Sequence, residues 1–349
     1  MFFSSDNAAP AAPEVMAALA AANEGYTSSY GADDIMDRVR ARMRDIFEAP
    51  EAAVYLVSTG TTANALALSI LARPWQAVFC HRHAHAEEDE CGAPEFYTGG
   101  AKLITLGGAD AKIDATELRT RGAETGQLGV HNIQRGALTI TNVNELGSVY
   151  TVAEIKELCR IARNLGMGTH LDGARFANAL VSLNCSPAEM TWKSGVDVVS
   201  FGGTKNGLMG VEAVVIFDPE KAWEFELRRK RGGHLFSKHR YLSAQMDAYL
   251  KDGLWLRLAR QANAMGARLE AELGHVDGFR MVHPRHANML FCGFPQAGHK
   301  RAQDAGAMYY PWPNKAPSGG SEVFLTCRLV TSWCTTTEEV DRFVAAVRG

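Results

Sequence analysis

No charge of either sign dominates the chain: 36 Lys and Arg stand against 39 Asp and Glu, a formal net charge of −3. A nucleic-acid binder normally carries a basic face, so the balance argues against that class. The run Arg228-Arg229-Lys230-Arg231 has no second basic cluster to join and is expected to be a solvated helix end or part of an interface between copies. Cysteine is sparse and unpatterned, with seven residues at 80, 91, 159, 185, 292, 327 and 334 and no CxxC spacing. An odd, scattered set makes neither a disulfide framework nor a zinc ribbon and fits a reducing cytoplasm. Cys91 is expected to be a packed thiol, since nothing near it in sequence would lower its pKa. No apolar run approaches the about 18 residues that a membrane span needs. The opening Met1-Phe2-Phe3-Ser4-Ser5-Asp6 lacks a basic region and meets an acid at once, so no secretory leader is expected. Low-complexity tracts and long internal repeats are absent as well. What remains is a 349-residue chain, 46% apolar and 21% charged, enough for about two globular domains.

Short apolar runs rich in β-formers recur at 53–57, 77–81, 101–106, 137–141, 167–171, 196–201 and 211–217, with helical patterns at 33–48, 61–73, 151–165 and 219–230. Thr151, with Glu154 three residues on, has the spacing of a capping box. Buried strands alternating with helices predict an α/β fold, a mixed, mostly parallel sheet covered on both faces. Ligands then gather outside the carboxyl ends of the strands. From about 255 the pattern changes to a long helix (255–274), strands near 278–282, 287–293 and 323–330, and a last helix at 337–347. We therefore expect a large domain over 1–250, with an N-terminal arm over 1–30, and a smaller α+β domain over 251–349. The Pro/Gly-rich stretch 311–320 is expected to be a loop inside the latter.

Three features follow strands. Ser58-Thr59-Gly60-Thr61-Thr62-Ala63-Asn64 offers free N–H groups and hydroxyls to an anion at a helix start, without Walker spacing; taken alone it is more readily a plain helix cap. Leu171-Asp172-Gly173-Ala174-Arg175 puts an acid at the end of a buried strand. It could serve a cationic ligand atom, with Arg175 on a carboxylate, or the two could form a buried ion pair. Ser200-Phe201-Gly202-Gly203-Thr204-Lys205-Asn206-Gly207 sets a lysine among glycines, where desolvation would favour the neutral, nucleophilic amine; alone, a lysine is more often a solvated loop residue. Together, a phosphate-binding helix start, an Asp and a Lys in that order on an α/β sheet are what a pyridoxal 5'-phosphate enzyme requires. The Lys attaches the cofactor, the Asp pairs with the pyridine nitrogen, and the helix start holds the phosphate. His81, His83 and His85, before Glu87 to Glu90, alternate as metal ligands could, but no further ligands follow downstream, and no metal is expected.

Beyond these, Ser5-Asp6-Asn7, Tyr30-Gly31-Ala32-Asp33, STGTTAN at 58–64, His85 before EEDE, HLDGAR at 170–175, FGGTKNG at 201–207, RKRGGH at 229–234 and CRLVTSW at 327–333 occur in that order along the whole chain. In this the sequence resembles the threonine aldolase family of aspartate-aminotransferase-like, fold type I, pyridoxal-phosphate enzymes. HAEEDECGAPEF at 85–96 and SKHRYLSAQ at 237–245 are most similar to its low-specificity L-threonine and L-phenylserine aldolase branch. The resemblance implies that Lys205 carries the cofactor and that Asp172 holds the pyridine nitrogen. Gly60, Thr61 and Thr204 would bind the phosphate, His85 would stack on the ring, and Ser5, Arg175 and Arg328 would hold the substrate carboxylate. It implies retro-aldol cleavage of L-3-hydroxy amino acids to glycine and an aldehyde, in a cytoplasmic homo-oligomer, dimer or tetramer, with the site at a subunit interface. His85 is the first candidate for the base at the β-hydroxyl. Many members carry a second His in an N-T-H-N-G loop after the fourth strand; here the loop is Asn142-Val143-Asn144-Glu145-Leu146-Gly147, leaving Asn144 or Glu145 in its place. His131, nearby in sequence, does not match and is expected at the surface. The competing readings are a β-eliminating lyase or aminotransferase on the same scaffold, and a non-catalytic cofactor-binding protein.

Overall fold

Runs such as AVYLV and EAVVI carry almost no polar side chains for water on either face, so they stack edge to edge between helices. The computed structural model describes residues 1–313 and 323–349. One sheet holds β1 (Ala53–Val57), β2 (Gln76–His81), β3 (Lys102–Leu106), β4 (Gln134–Thr141), β5 (Gly168–Gly173), β6 (Val198–Phe201) and β7 (Glu212–Ile216). Their order is β1-β7-β6-β5-β4-β2-β3. β2 to β6 pair in parallel, while β7 runs against both β6 and β1. β1 therefore points the same way as β6, and six strands end on one edge.

The Gly60–Leu71 helix is started by Thr59, whose side chain accepts the Thr62 N–H, and is buried from Thr62 to Ile70. The Val152–Asn164 helix opens on the expected capping box, with both reciprocal bonds between Thr151 and Glu154 present. A second, antiparallel sheet of order β10-β11-β9-β8 is built from β8 (Arg280–Met281), β9 (Met289–Pro295), β10 (Tyr310–Pro311) and β11 (Phe324–Val330). Leu269 and Leu273 of the Leu254–Leu273 helix and Phe343 and Val347 of the Thr337–Arg348 helix share its apolar core. Phe3 belongs to that core too, its ring 5.0 Å from Phe343, because the first residues run along the second sheet: Phe3 N–H donates to Met308 O and Phe3 O accepts from Val330 N–H.

The expected strands are present, β8 cut to two residues. Unforeseen helices of six residues or more are Pro13–Ala22, Ala93–Thr98, Ala115–Glu124, Phe176–Leu183, Arg240–Leu250 and Gln296–Asp304. Pro13–Ala22 is an alanine-rich segment with little polar contrast between its faces, so periodicity had nothing to read. The loop expected over 311–320 opens instead on Pro311 of β10, which pairs with Cys327 of β11, and after Pro313 it lies outside the described residues. Two surface expectations need correction. Cys91 is exposed, not packed: it takes a left-handed turn (φ 51°) ahead of Gly92, where the chain swings outward. Of the four basic residues ending the Ala222–Arg231 helix, Arg229 is buried, its guanidinium 5.0 Å from the centre of the Tyr55 ring on β1. His131 is exposed, as expected. Among the described residues no helix is long and apolar enough to cross a membrane.

Candidate active site

Because β1, β2, β4, β5 and β6 all end on one edge, the segments after them converge on a cavity of about 270 Å³. From β1 come Ser58, Thr59, Gly60, Thr61 and Asn64; from β2, His85; from β4, Thr141, Val143 and Glu145; from β5, Asp172, Ala174 and Arg175; from β6 and β7, Thr204, Lys205 and Glu212. The three sequence features thus face each other across one space. Ser5 and Arg328 do not line it. Ser5 spends its hydroxyl accepting the Asn7 N–H, while Arg328 reaches the Ser4 carbonyl (3.1 Å) from β11 and leaves its buried Nε without a partner.

The lysine turn is held by close packing. A Cβ on Gly202 would lie 2.2 Å from the Ala174 carbonyl oxygen, so only glycine lets β6 pass the β5 turn there. Glu212 accepts the Gly203 N–H at 2.6 Å, and burial pushes its carboxyl up to about 7. The Lys205 amine makes no hydrogen bond or ion pair among the described residues. Burial, and then the Arg175 guanidinium, hold its pKa below the usual lysine range, which favours the neutral nucleophile.

Asp172 accepts from the Asn64 amide (2.9 Å) and from the Ala174 N–H (3.0 Å). The same Asn64 nitrogen donates to Glu90 at 2.8 Å. Glu90 in turn meets His85 Nδ1 at 2.8 Å, with its side chain wholly out of solvent. One amide therefore ties the β5 acid to the histidine. The hydrogen bond to Glu90 raises the His85 pKa, and burial raises that of Glu90. Glu90→Gln is expected to lower the His85 titration, read by NMR of the imidazole carbons; an unmoved titration would mean that Glu90 is not what raises it.

Arg175 does not pair with Asp172. Its Nε and Nη2 grip both oxygens of Asp6, at 2.6 and 2.8 Å, and Asn288 donates to the same carboxylate at 3.0 Å. The Asp172–Arg175 ion pair weighed as an alternative does not form; the acid that Arg175 meets lies on the arm, 169 positions away, where local spacing could not reveal it. Asn64, Glu90 and Glu212 likewise take their places at the site from contacts distant in sequence or outside any motif. Glu212 alone had a sequence signal, an acid inside an otherwise apolar buried strand.

These residues fit pyridoxal phosphate. The N–H groups of Gly60 and Thr61 meet no acceptor among the described residues, and nothing lies within 4 Å of where a Gly60 Cβ would sit. That leaves a bare helix start for a phosphate. The unpartnered Lys205 amine suits an aldehyde, and the Asp172 carboxylate suits a pyridine nitrogen.

Residues 3–294 match the β-eliminating lyase family. The chain is 37% identical over 347 residues to the low specificity L-threonine aldolase of Pseudomonas sp. (strain NCIMB 10558), covering 99% of this chain and 97% of that one. A solved Leishmania major threonine aldolase superposes with a TM-score of 0.91 at 28% identity, covering 99% of this chain and 98% of its own. Serine palmitoyltransferase from S. paucimobilis, solved with bound PLP, shares the fold at a TM-score of 0.67 and 18% identity, over 100% of this chain and 87% of its own.

Proposed function

The chain belongs to the β-eliminating lyase family, and from that premise we propose that it is a pyridoxal-phosphate-dependent aldolase of low specificity. It would cleave L-threonine, L-allo-threonine and L-phenylserine to glycine and the corresponding aldehyde. The observation that carries this reading is the convergence of an unpartnered lysine amine, a strand-end aspartate and an arginine on one cavity. The bound cofactor supplies an electron sink at the substrate's α-carbon. Lys205 would attach it, Asp172 would face its pyridine nitrogen, His85 would lie against its ring, and Gly60, Thr61 and Thr204 would take its phosphate. Arg175, fixed by Asp6, would hold the substrate carboxylate, with Arg328 and Ser5 behind it. In favour of Arg328 stands its buried, unpartnered Nε; burial and the nearby Arg175 both work against its charge, so an anion placed between the two would relieve them. Holding the carboxylate fixes which bond to the α-carbon stands where the electron sink acts.

We place the protein in the cytoplasm as a dimer or tetramer with the site at the subunit boundary. Tyr26, Tyr30 and Phe236 support association between copies: all are exposed beside the contact where Tyr30 N–H donates to Ser237 O.

The test is product analysis with the purified, cofactor-loaded protein. L-Threonine should give glycine and acetaldehyde in equal amounts, with no keto acid. Release of 2-oxobutanoate and ammonia would make the protein a β-eliminating enzyme instead, and no turnover with the cofactor in place would leave a binding protein.

A further inference from the structure

We propose that Glu145 is the group that takes the proton from the substrate's β-hydroxyl. The proposal rests on the aldolase reading above and adds a residue to it.

The loop after β4 carries three polar residues close to the cavity, and two are committed elsewhere. Asn142 is bound on both sides of its amide to the Tyr150 backbone, at 2.9 and 3.2 Å. Asn144 accepts from the N–H groups of Leu146 and Ser148 and donates to the Asp110 carbonyl. These bonds shape the turn so that Glu145, between them, lines the cavity with Thr141 and Val143. One carboxylate oxygen is fixed by the His85 backbone N–H at 2.7 Å.

The other acids around the cavity are spoken for. Asp6 is paired with Arg175, Glu90 with His85, Asp172 is bound by Asn64 and Ala174, and Glu212 takes the Gly203 N–H behind the lysine turn. Glu145 has no cationic partner among the described residues. Burial first, and the charge of Asp172 second, raise its carboxyl to about 7, opposed by the His85 contacts; Arg175 also faces it. It therefore exchanges a proton readily near neutrality. His85, the first choice on sequence, is less suited: its Nδ1 is engaged by Glu90, which favours the protonated ring.

In the step proposed, the hydroxyl proton passes to the Glu145 carboxylate, and the freed oxygen pair closes the carbonyl of the departing aldehyde. The Cα–Cβ bond breaks and leaves its electron pair on the α-carbon. That carbon then takes up one proton, so none is consumed overall, and glycine and an aldehyde are the products.

The test compares wild-type and Glu145→Gln holoproteins in three measurements. Threonine cleavage should fall by about 10²-fold or more in the variant. Exchange of the glycine α-proton with D₂O, which needs no β-hydroxyl, should persist close to the wild-type rate. In ¹³Cδ-glutamate NMR, one carboxyl titrating near neutrality should vanish, with that of Glu212 remaining. Wild-type-like cleavage in the variant, or cleavage and exchange falling together as they would for a merely structural residue, would overturn the proposal. A wild-type protein that makes no glycine from threonine would instead overturn the aldolase reading itself.

Discussion

Lys205→Ala is expected to lower threonine cleavage by about 10⁴-fold or more while leaving the fold intact, because the substitution removes the group that would join cofactor and protein. The amine is marked out by what it lacks. A lysine placed for structure finds a carboxylate or a carbonyl; this one finds neither, and burial together with Arg175 disfavours its charge. Its turn is kept by Gly202, by the Glu212 bond to Gly203, and by Asn206, whose amide donates to Tyr249 Oη and the Trp255 carbonyl. None of these uses the Lys205 side chain, so circular dichroism should be unchanged. Pyridoxal phosphate should still enter, held at the helix start, but leave on gel filtration. A variant that turned over near the wild-type rate would remove Lys205 from its assigned role.

Asp6→Asn is expected to cost about 3–5 kcal/mol of stability, read as a lower urea midpoint, since it leaves the largely buried Arg175 guanidinium without its counter-charge. Burial alone would raise the Asp6 pKa, but the Arg175 charge and hydrogen bonds overcome it and hold the carboxyl below its ordinary range. The unfolded chain therefore takes up this proton first on acidification. The pair's contribution is complete at neutral pH and is lost as the pH falls from about 4 through the lower folded value. The variant should lack that segment of the acid dependence. An unchanged midpoint would show that Asn288 and the surrounding packing, not the charge pair, fix the arm.

The parts legible in sequence were those with local causes. Apolar runs of five to seven residues announce β1 to β7, and a hydroxyl-glycine cluster, an acid and a lysine directly after such runs mark three strand ends. Illegible were the partners. Asn64 gains its meaning from Glu90 and Asp172, 26 and 108 positions away, and Glu145 from His85, 60 positions away. Such pairings depend on strand order, and the order β1-β7-β6-β5-β4-β2-β3 is not written in any single segment. The Arg240–Leu250 helix escaped for a related reason: its buried residues, Leu242 to Met246 with Tyr249 and Leu250, form a nearly continuous run of mixed polarity instead of one apolar stripe.

The arm that threads from the second sheet to Arg175 has a consequence for how the protein comes into being. Asp6 is steadied by Asn288, 282 positions further on, and Phe3 lies against Val330 and Phe343, so these arm residues can find their places only after those later residues have been made. A nascent chain that has just completed β7 can pair its seven strands and form the helix start and the lysine turn. Its Arg175 would still await Asn288, which steadies the Asp6 carboxylate that holds it.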